Sequence, residues 1–195
     1  MLVTDDGLLE GRDVVSLALA AERGGATAVQ LRLKQVDARE LVTLARRLVA
    51  ALRVPIVVND RLDVALAAGA HGVHLGPDDL PVDAVRRLVP SGFIIGASVG
   101  GAAEAARGRA ADYWGVGPWR VTATKADAGA PLGGDGFAEV VRLAGDIPCV
   151  AIGGVRPGDV SAVRAAGGAG VAVVSGILLA EDVEAGTRRY ADARA

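Results

Sequence analysis

Eight short apolar runs alternating with helical patterns predict a single compact (β/α)8 TIM barrel, one domain spanning residues 1–195. The run starts fall roughly 20 to 27 residues apart for most units, enough for one strand, one helix and two short turns. The runs are almost continuously apolar, which favours parallel pairing with both strand faces covered. The 195 residues are 51% hydrophobic with 27 glycines and only 3% aromatic side chains, a composition suited to close helix–strand contacts in one core. Barrels usually need about 250 residues, so the connections must be short. An open doubly wound sheet is the competing architecture, but no G-x-G-x-x-G turn follows the first run.

The elements follow in order. LVTD opens the chain, and Val14, Leu17, Ala18 and Ala21 then recur at helical spacing. TAVQLRLK from Thr27 reads as the second strand, with Gln30, Arg32 and Lys34 on one face and Val29, Leu31 and Leu33 on the other. Two cations beside an amide demand something anionic or an exposed edge. Leu41, Leu44, Ala45 and Leu48 mark the next helix. Further strands are expected at VPIVVN from Val54, GVHLG from Gly72, GFIIGAS from Gly92 and DYWGVG from Asp112. A glycine-rich stretch, TATKADAGAPLGGDG, then precedes a helix, before IPCVAIGG from Ile147 and GVAVVSG from Gly170.

Several function classes drop out. A formal net charge of −2 gives no global attraction for nucleic acid, so any anion site must be built locally. No signal peptide or apolar run of about 18 residues argues for export or a membrane, which leaves a cytoplasmic expectation. The single Cys149 is flanked by apolar residues and reads as a buried strand residue in a reducing compartment. There is no heptad array, linker or low-complexity tract.

In a barrel the site lies at the carboxyl ends of the strands. The polar residues there are Gln30, Arg32 and Lys34, then Asn59 and Asp60, then His74, Asp78 and Asp79, then Ser98, then Thr122, Thr124 and Lys125. Asn59, Asp78, Asp79 and Ser98 could equally be caps of the helices that follow. His74 could be a core histidine or a substrate contact, and His71 reads as structural or exposed. Glycines after the last two strands, Gly153, Gly154 and Gly176, put unhindered backbone N–H groups where barrels commonly bind phosphate; tight turns would use them too. Arg32, Lys34 and Lys125 with Asp60 and Asp79 suggest a second anion site holding a Mg²⁺-bound diphosphate, because carboxylates repel a diphosphate unless a metal lies between.

The succession LVTD, QLRLK, VVNDR, AHGVHLGPDDLP, IIGAS, ADYWGVGP with T-A-T-K, VAIGGV and GVAVVSGI resembles thiamine-phosphate synthase from end to end. The resemblance implies a transferase that joins a hydroxymethylpyrimidine diphosphate to a thiazole phosphate, both small-molecule substrates, releasing diphosphate with Mg²⁺. It implies that Gln30 contacts the pyrimidine, that Arg32, Lys34, Asn59 and Lys125 hold the diphosphate, and that Asp60 and Asp79 hold Mg²⁺. Ser98 would lie by the pyrimidine amino group and the departing oxygen. Thr122, Thr124, Gly154, Val174 and Ser175 would hold the thiazole phosphate. The family's chemistry is dissociative and needs no covalent nucleophile, in keeping with the expectation of no activated Cys and no Ser–His pair. Arg120 and Val121 depart from the family's usual apolar-or-aromatic residue followed by Pro, so the loop from Ala126 to Gly136 is expected to close differently. A thiazole tautomerase of the same superfamily and a non-catalytic phosphate-binding barrel are the competing readings.

Overall fold

The computed structural model describes residues 1–122 and 129–193. All eight strands are present and parallel: β1 Leu2–Val3, β2 Val29–Leu31, β3 Ile56–Asn59, β4 Gly72–Leu75, β5 Ile94–Ser98, β6 Tyr113–Val116, β7 Cys149–Ile152 and β8 Gly170–Ala172. Each pairs with the next in chain order. A bridge from Leu2 to Val173 joins the ends, with Val3 N–H donating to Val173 O at 2.9 Å and Val173 N–H to Met1 O at 3.0 Å. The sheet is therefore a closed barrel, and closure leaves no edge strand.

Helices cover the outside: α1 Asp6–Leu9, α2 Val14–Arg23, α3 Ala38–Ala51, α4 Leu62–Ala68, α5 Val82–Leu88, α6 Ala102–Gly108, α7 Gly133–Ala144, α8 Val160–Ala165, α9 Ser175–Leu178 and α10 Val183–Asp192. In α2 and α3 the expected apolar stripe is the buried face, with Val14, Leu17, Ala18 and Ala21 in one and Leu41, Ala45 and Leu48 in the other. Asp13 and Asp37 start these helices by accepting the N–H of Ser16 and Glu40, each at 2.9 Å. Leu2, Leu31, Ile56, Leu75, Ile95, Trp114 and Phe137 are fully buried between sheet and helices. Replacing one such leucine by alanine costs about 2–5 kcal/mol through lost burial and the cavity left behind.

Two elements depart from the sequence expectation. β2 ends at Leu31, not at Lys34, because the next N–H groups are taken by side chains of the first βα loop. Arg32 N–H donates to Thr4 Oγ1 at 2.8 Å, and Lys34 N–H and Gln35 N–H donate to the Asp6 carboxylate at 2.6 and 3.2 Å. At the other departure, α7 begins at Gly133, so the end of the glycine-rich stretch is helical. Leu132 N–H donates to Pro118 O and Gly133 N–H to Trp119 O, at 2.8 and 3.2 Å; this anchoring onto the extension of β6 outweighs the poor helix propensity of glycine.

The capping alternatives are absent. Among the described residues no side chain caps α4, α5 or α6, which excludes that role for Asn59, Asp78, Asp79 and Ser98. His71 is structural and exposed: its Nδ1 accepts Ile56 N–H at 3.1 Å.

Candidate active site

Along each strand alternate residues face the barrel mouth, and their partners face the helices. Gln30 and Arg32, Asn59, His74 and Gly76, Ser98 and Gly100, Gly115 and Gly117, Ile152 and Gly154, and Ala172 and Val174 thus line one cavity of about 530 Å³. Lys34, Asp60, Asp78, Asp79, Thr122 and Ser175 complete the set, so every site residue expected from the sequence and lying in the described residues reaches this cavity. Thr124 and Lys125 lie outside the described residues. An outer cavity of about 1070 Å³ shares Thr122, Gly154 and Ser175 but is lined by none of Lys34, Asp60, Asp79, His74 and Ser98. The two groups therefore occupy different ends of the site.

At the first end, each cation already has a carboxylate. Arg32 Nη1 lies 2.5 Å from Asp5 Oδ2, the two side chains 18% and 16% exposed, and Lys34 Nζ lies 3.5 Å from Asp60 Oδ2. The anionic partners that the sequence argument asked for are found within the chain: Asp5 and Asp60, after the first and third strands, supply counter-ions. Burial, and the Asp79 carboxyl beside it, raise the Asp60 carboxyl above the usual range, with Lys34 pulling the other way. Asp79 in turn accepts Gly76 N–H at 2.6 Å. Asp60 sits at φ 61°, a left-handed conformation uncommon outside glycine, held by its N–H to His74 O at 2.8 Å and by Arg61 N–H to Asn59 O at 2.7 Å. Such backbone costs about 1–3 kcal/mol and gathers at functional sites.

Two adjacent carboxylates are a hard-oxygen donor set, and their mutual repulsion is what a divalent cation relieves. Among the described residues no group of three or more His, Cys, Asp or Glu is placed to hold a metal. A two-carboxylate set suits Mg²⁺, which completes its octahedron with water and phosphate oxygens.

The floor holds a polar chain that sequence reasoning missed. His74 Nε2 is 3.0 Å from Ser98 Oγ, and His74 Nδ1 is 2.9 Å from Tyr113 Oη. Burial raises the Tyr113 phenol well above its ordinary value, with Gln30 pulling the other way. The expectation of no Ser–His pair is thus overturned: parallel register sets His74 beside Gly96, and Ser98 is the next inward residue of β5. The pair differs from an activated nucleophile because the far ring nitrogen faces a phenol in the place where a catalytic triad has a carboxylate. Space for the rings comes from glycines. A Cβ at Gly96 would lie 2.3 Å from Tyr113 Cζ, and one at Gly115 would lie 3.0 Å from His74 Cε1. Cys149 is buried in β7, where burial pushes its thiol up to about 11, so it is no nucleophile.

At the second end the turn reading of the glycines holds as well. Gly153 and Gly154 have φ of 88° and 68°, and a Cβ at either would come within 2.9 Å of Pro118 or Arg120. A Cβ at Gly176 would lie 2.1 Å from Tyr190 Oη. A Pro157–Asp159 3₁₀ turn intervenes between Gly154 and α8, and α9 is a single turn, so neither glycine segment opens a long helix. This end of the cavity is lined by Gly153 and Gly154 with Thr122 and by Val174, Ser175 and Gly176. Arg120 has a defined role: its guanidinium forks onto Asp159, and its N–H donates to Gly153 O at 2.9 Å. Val121 beside it is 83% exposed.

Residues 1–177 match the family described as thiamine monophosphate synthase. A curated thiamine-phosphate synthase of Methanoculleus marisnigri is 46% identical, with 98% of this chain and 92% of that protein covered. That of Methanospirillum hungatei is 45% identical over 98% of this chain and 95% of its own. A solved thiamine phosphate pyrophosphorylase from Pyrococcus furiosus superposes with a TM-score of 0.88 at 36% identity, covering 99% of this chain and 94% of that one. With family match, near full-length relatives and fold in agreement, the chain belongs to the thiamine-phosphate synthase family.

Proposed function

We propose that this protein couples hydroxymethylpyrimidine diphosphate to thiazole phosphate, releasing diphosphate and forming thiamine phosphate, with Mg²⁺ held by Asp60 and Asp79. The observation that carries this reading is a single cavity with a carboxylate pair beside Arg32 and Lys34 at one end and Thr122, Gly154 and Ser175 at the other. A diphosphate and a monophosphate each find a site, and the reacting atoms meet between them.

In the reaction the pyrimidine methylene–oxygen bond breaks, with its electron pair going to the diphosphate oxygen, and the thiazole nitrogen lone pair then forms the new carbon–nitrogen bond. Bound Mg²⁺ would neutralise charge on the departing diphosphate. Lys34 and Arg32, joined by Asn59 and Lys125, stabilise the same developing charge, and Gln30 and His74 orient the pyrimidine. Ser98 sits where the amino group and the departing oxygen meet. Thr122, Thr124, Gly154, Val174 and Ser175 hold the thiazole phosphate. We place the enzyme in the cytoplasm; among the described residues no helix is long and apolar enough to cross a membrane.

Purified protein mixed with both substrates should yield thiamine phosphate and diphosphate in Mg²⁺, and far less in chelator. Isomerised thiazole without coupling would support the tautomerase reading, and binding without turnover of either kind a silent phosphate-binding barrel.

A further inference from the structure

Neither glycine loop at the monophosphate end is anchored by a long helix of its own, since the one after β7 runs into a 3₁₀ turn and the one after β8 into the single turn of α9. One buried side chain meets both. Tyr190 of α10 donates from its Oη to Val155 O at 3.1 Å, and the direction of that bond is settled because a carbonyl only accepts. On its other side the same oxygen stands where a side chain of residue 176 would go, 2.1 Å from the position of a Cβ on Gly176. The glycine thus lets the phenol lie against the β8 loop while its hydroxyl bonds the β7 loop. Tyr190 also lines the outer cavity together with Gly154, Ser175 and Gly176. The helix that carries it is docked elsewhere: Arg23 pairs with Glu184 at 2.8 Å, and a Cβ on Gly24, at the end of α2, would come 2.7 Å from Thr187 Cβ. α10 lies outside residues 1–177, the part that the family match covers.

We infer that Tyr190 is a positioning residue that braces the two glycine loops against each other and so sets the spacing of the thiazole phosphate site. This rests on the synthase reading for the identity of the ligand. A phosphate shared between two loops needs its donors held to within about 0.5 Å, and loops without long helices behind them must take that rigidity from a neighbour. Here the neighbour is α10. Losing the Tyr190 hydroxyl would free Val155 O, and with it the segment that begins at Gly154, while the packing of the ring stays. The diphosphate end is built from Arg32, Lys34, Asp60 and Asp79 after β2, β3 and β4, and Tyr190 does not line the inner cavity that holds them. The brace therefore acts on one substrate and not on the other.

Tyr190→Phe removes the hydroxyl and keeps the ring. Calorimetric titration with thiazole phosphate alone should give a Kd about three- to tenfold above wild type, the size of one neutral hydrogen bond. In coupling assays KM for thiazole phosphate should rise by the same factor, while kcat and KM for the pyrimidine diphosphate stay within about twofold. Thr187→Ala is the control: it empties a buried site on the same helix whose contacts are Val183 O and Gly24, so it should lower Tm and leave the Kd for thiazole phosphate unchanged. The proposal is overturned if Thr187→Ala weakens thiazole phosphate as much as Tyr190→Phe does, if Tyr190→Phe keeps the wild-type Kd, or if its two KM values rise together. Should Tyr190→Phe fail to fold, the wild type still decides, because the chain has only two tyrosines and ¹³Cζ-tyrosine labelling gives two signals, assigned with Tyr113→Phe. Thiazole phosphate alone should move the Tyr190 signal, and a signal that stays in place would overturn the brace. The titration needs no coupling, so a protein that binds thiazole phosphate through Tyr190 and forms no thiamine phosphate would refute the synthase reading and leave the role of Tyr190 standing.

Discussion

Asp5→Asn isolates a charge that the sequence did not advertise. The Asp5 carboxylate lies 2.5 Å from Arg32 Nη1, with side chains 16% and 18% exposed, and it also caps α1 by accepting Gly7 N–H at 3.1 Å. Asparagine retains the cap, since its side-chain oxygen accepts as well as that of aspartate. What is lost is the counter-ion of Arg32. Removing one partner of a fully buried pair costs about 3–5 kcal/mol and of a surface pair about 0–1 kcal/mol, so a pair exposed by less than a fifth should fall near 2 kcal/mol. For a chain of this length each kcal/mol moves Tm by about 2–4 °C, so the variant should melt roughly 4–8 °C lower. Added inorganic diphosphate should then raise Tm more in the variant than in wild type, because a guanidinium without its internal partner binds the anion more tightly and stabilisation grows with [L]/Kd. Thermal denaturation with and without diphosphate measures both quantities. A shift under about 1 °C, or equal diphosphate increments in the two proteins, would refute the assignment of Arg32 as a cation held by Asp5 for the anion.

The barrel was legible because its signal is repeated. Eight apolar runs at similar spacing, each with its helix stripe, survive errors in any single element, and so the strand count held although β2 is shorter than its apolar pattern. That pattern could not show where the ladder stops, because the competing acceptors, Thr4 Oγ1 and the Asp6 carboxylate, lie in another loop. The cavity-lining residues were legible for a related reason: a polar side chain at the carboxyl end of a barrel strand has few other places to be. Asp5, Tyr113 and the His74–Ser98 contact were not, since their partners are distant in sequence and are joined only by register between strands. A signal for Tyr113 did exist. Tyr113, Gly115 and Gly117 alternate with Trp114 and Val116, which puts one large polar ring on an otherwise bare inward face.

Three further substitutions probe separate parts of this structure. Gly96→Ala would put a Cβ 2.3 Å from Tyr113 Cζ and 2.5 Å from His74 Nδ1, so it should destabilise by about 1–3 kcal/mol; urea denaturation at wild-type midpoint would contradict the packing. Arg120→Ala tests the Arg120–Asp159 pair through pH: Arg120 holds the Asp159 carboxyl below its ordinary value of 3.8, a stabilisation present above that pH and lost as pH falls through the lowered value. Wild type should therefore lose more stability than the variant on acidification below about pH 4, and parallel denaturation midpoints between pH 6 and 3 would dismiss the linkage. The last concerns Asp60 and Asp79, where the structure sets stability and activity in opposition. A carboxyl raised by burial and by a like-charged neighbour costs stability once pH exceeds its unfolded value, so at neutral pH Asp60→Asn should leave the metal-free fold as stable as wild type or more so. The same change removes one of the two carboxylates proposed to hold Mg²⁺. Coupling should fall sharply and the Mg²⁺-dependent gain in Tm in the presence of diphosphate should vanish, while thiazole phosphate binding, at the other end of the cavity, stays unchanged. An Asp60→Asn protein that melts lower without metal but keeps its Mg²⁺ increment would mean that this aspartate is a structural partner of Lys34 and that the metal, if the reaction uses one, is held elsewhere.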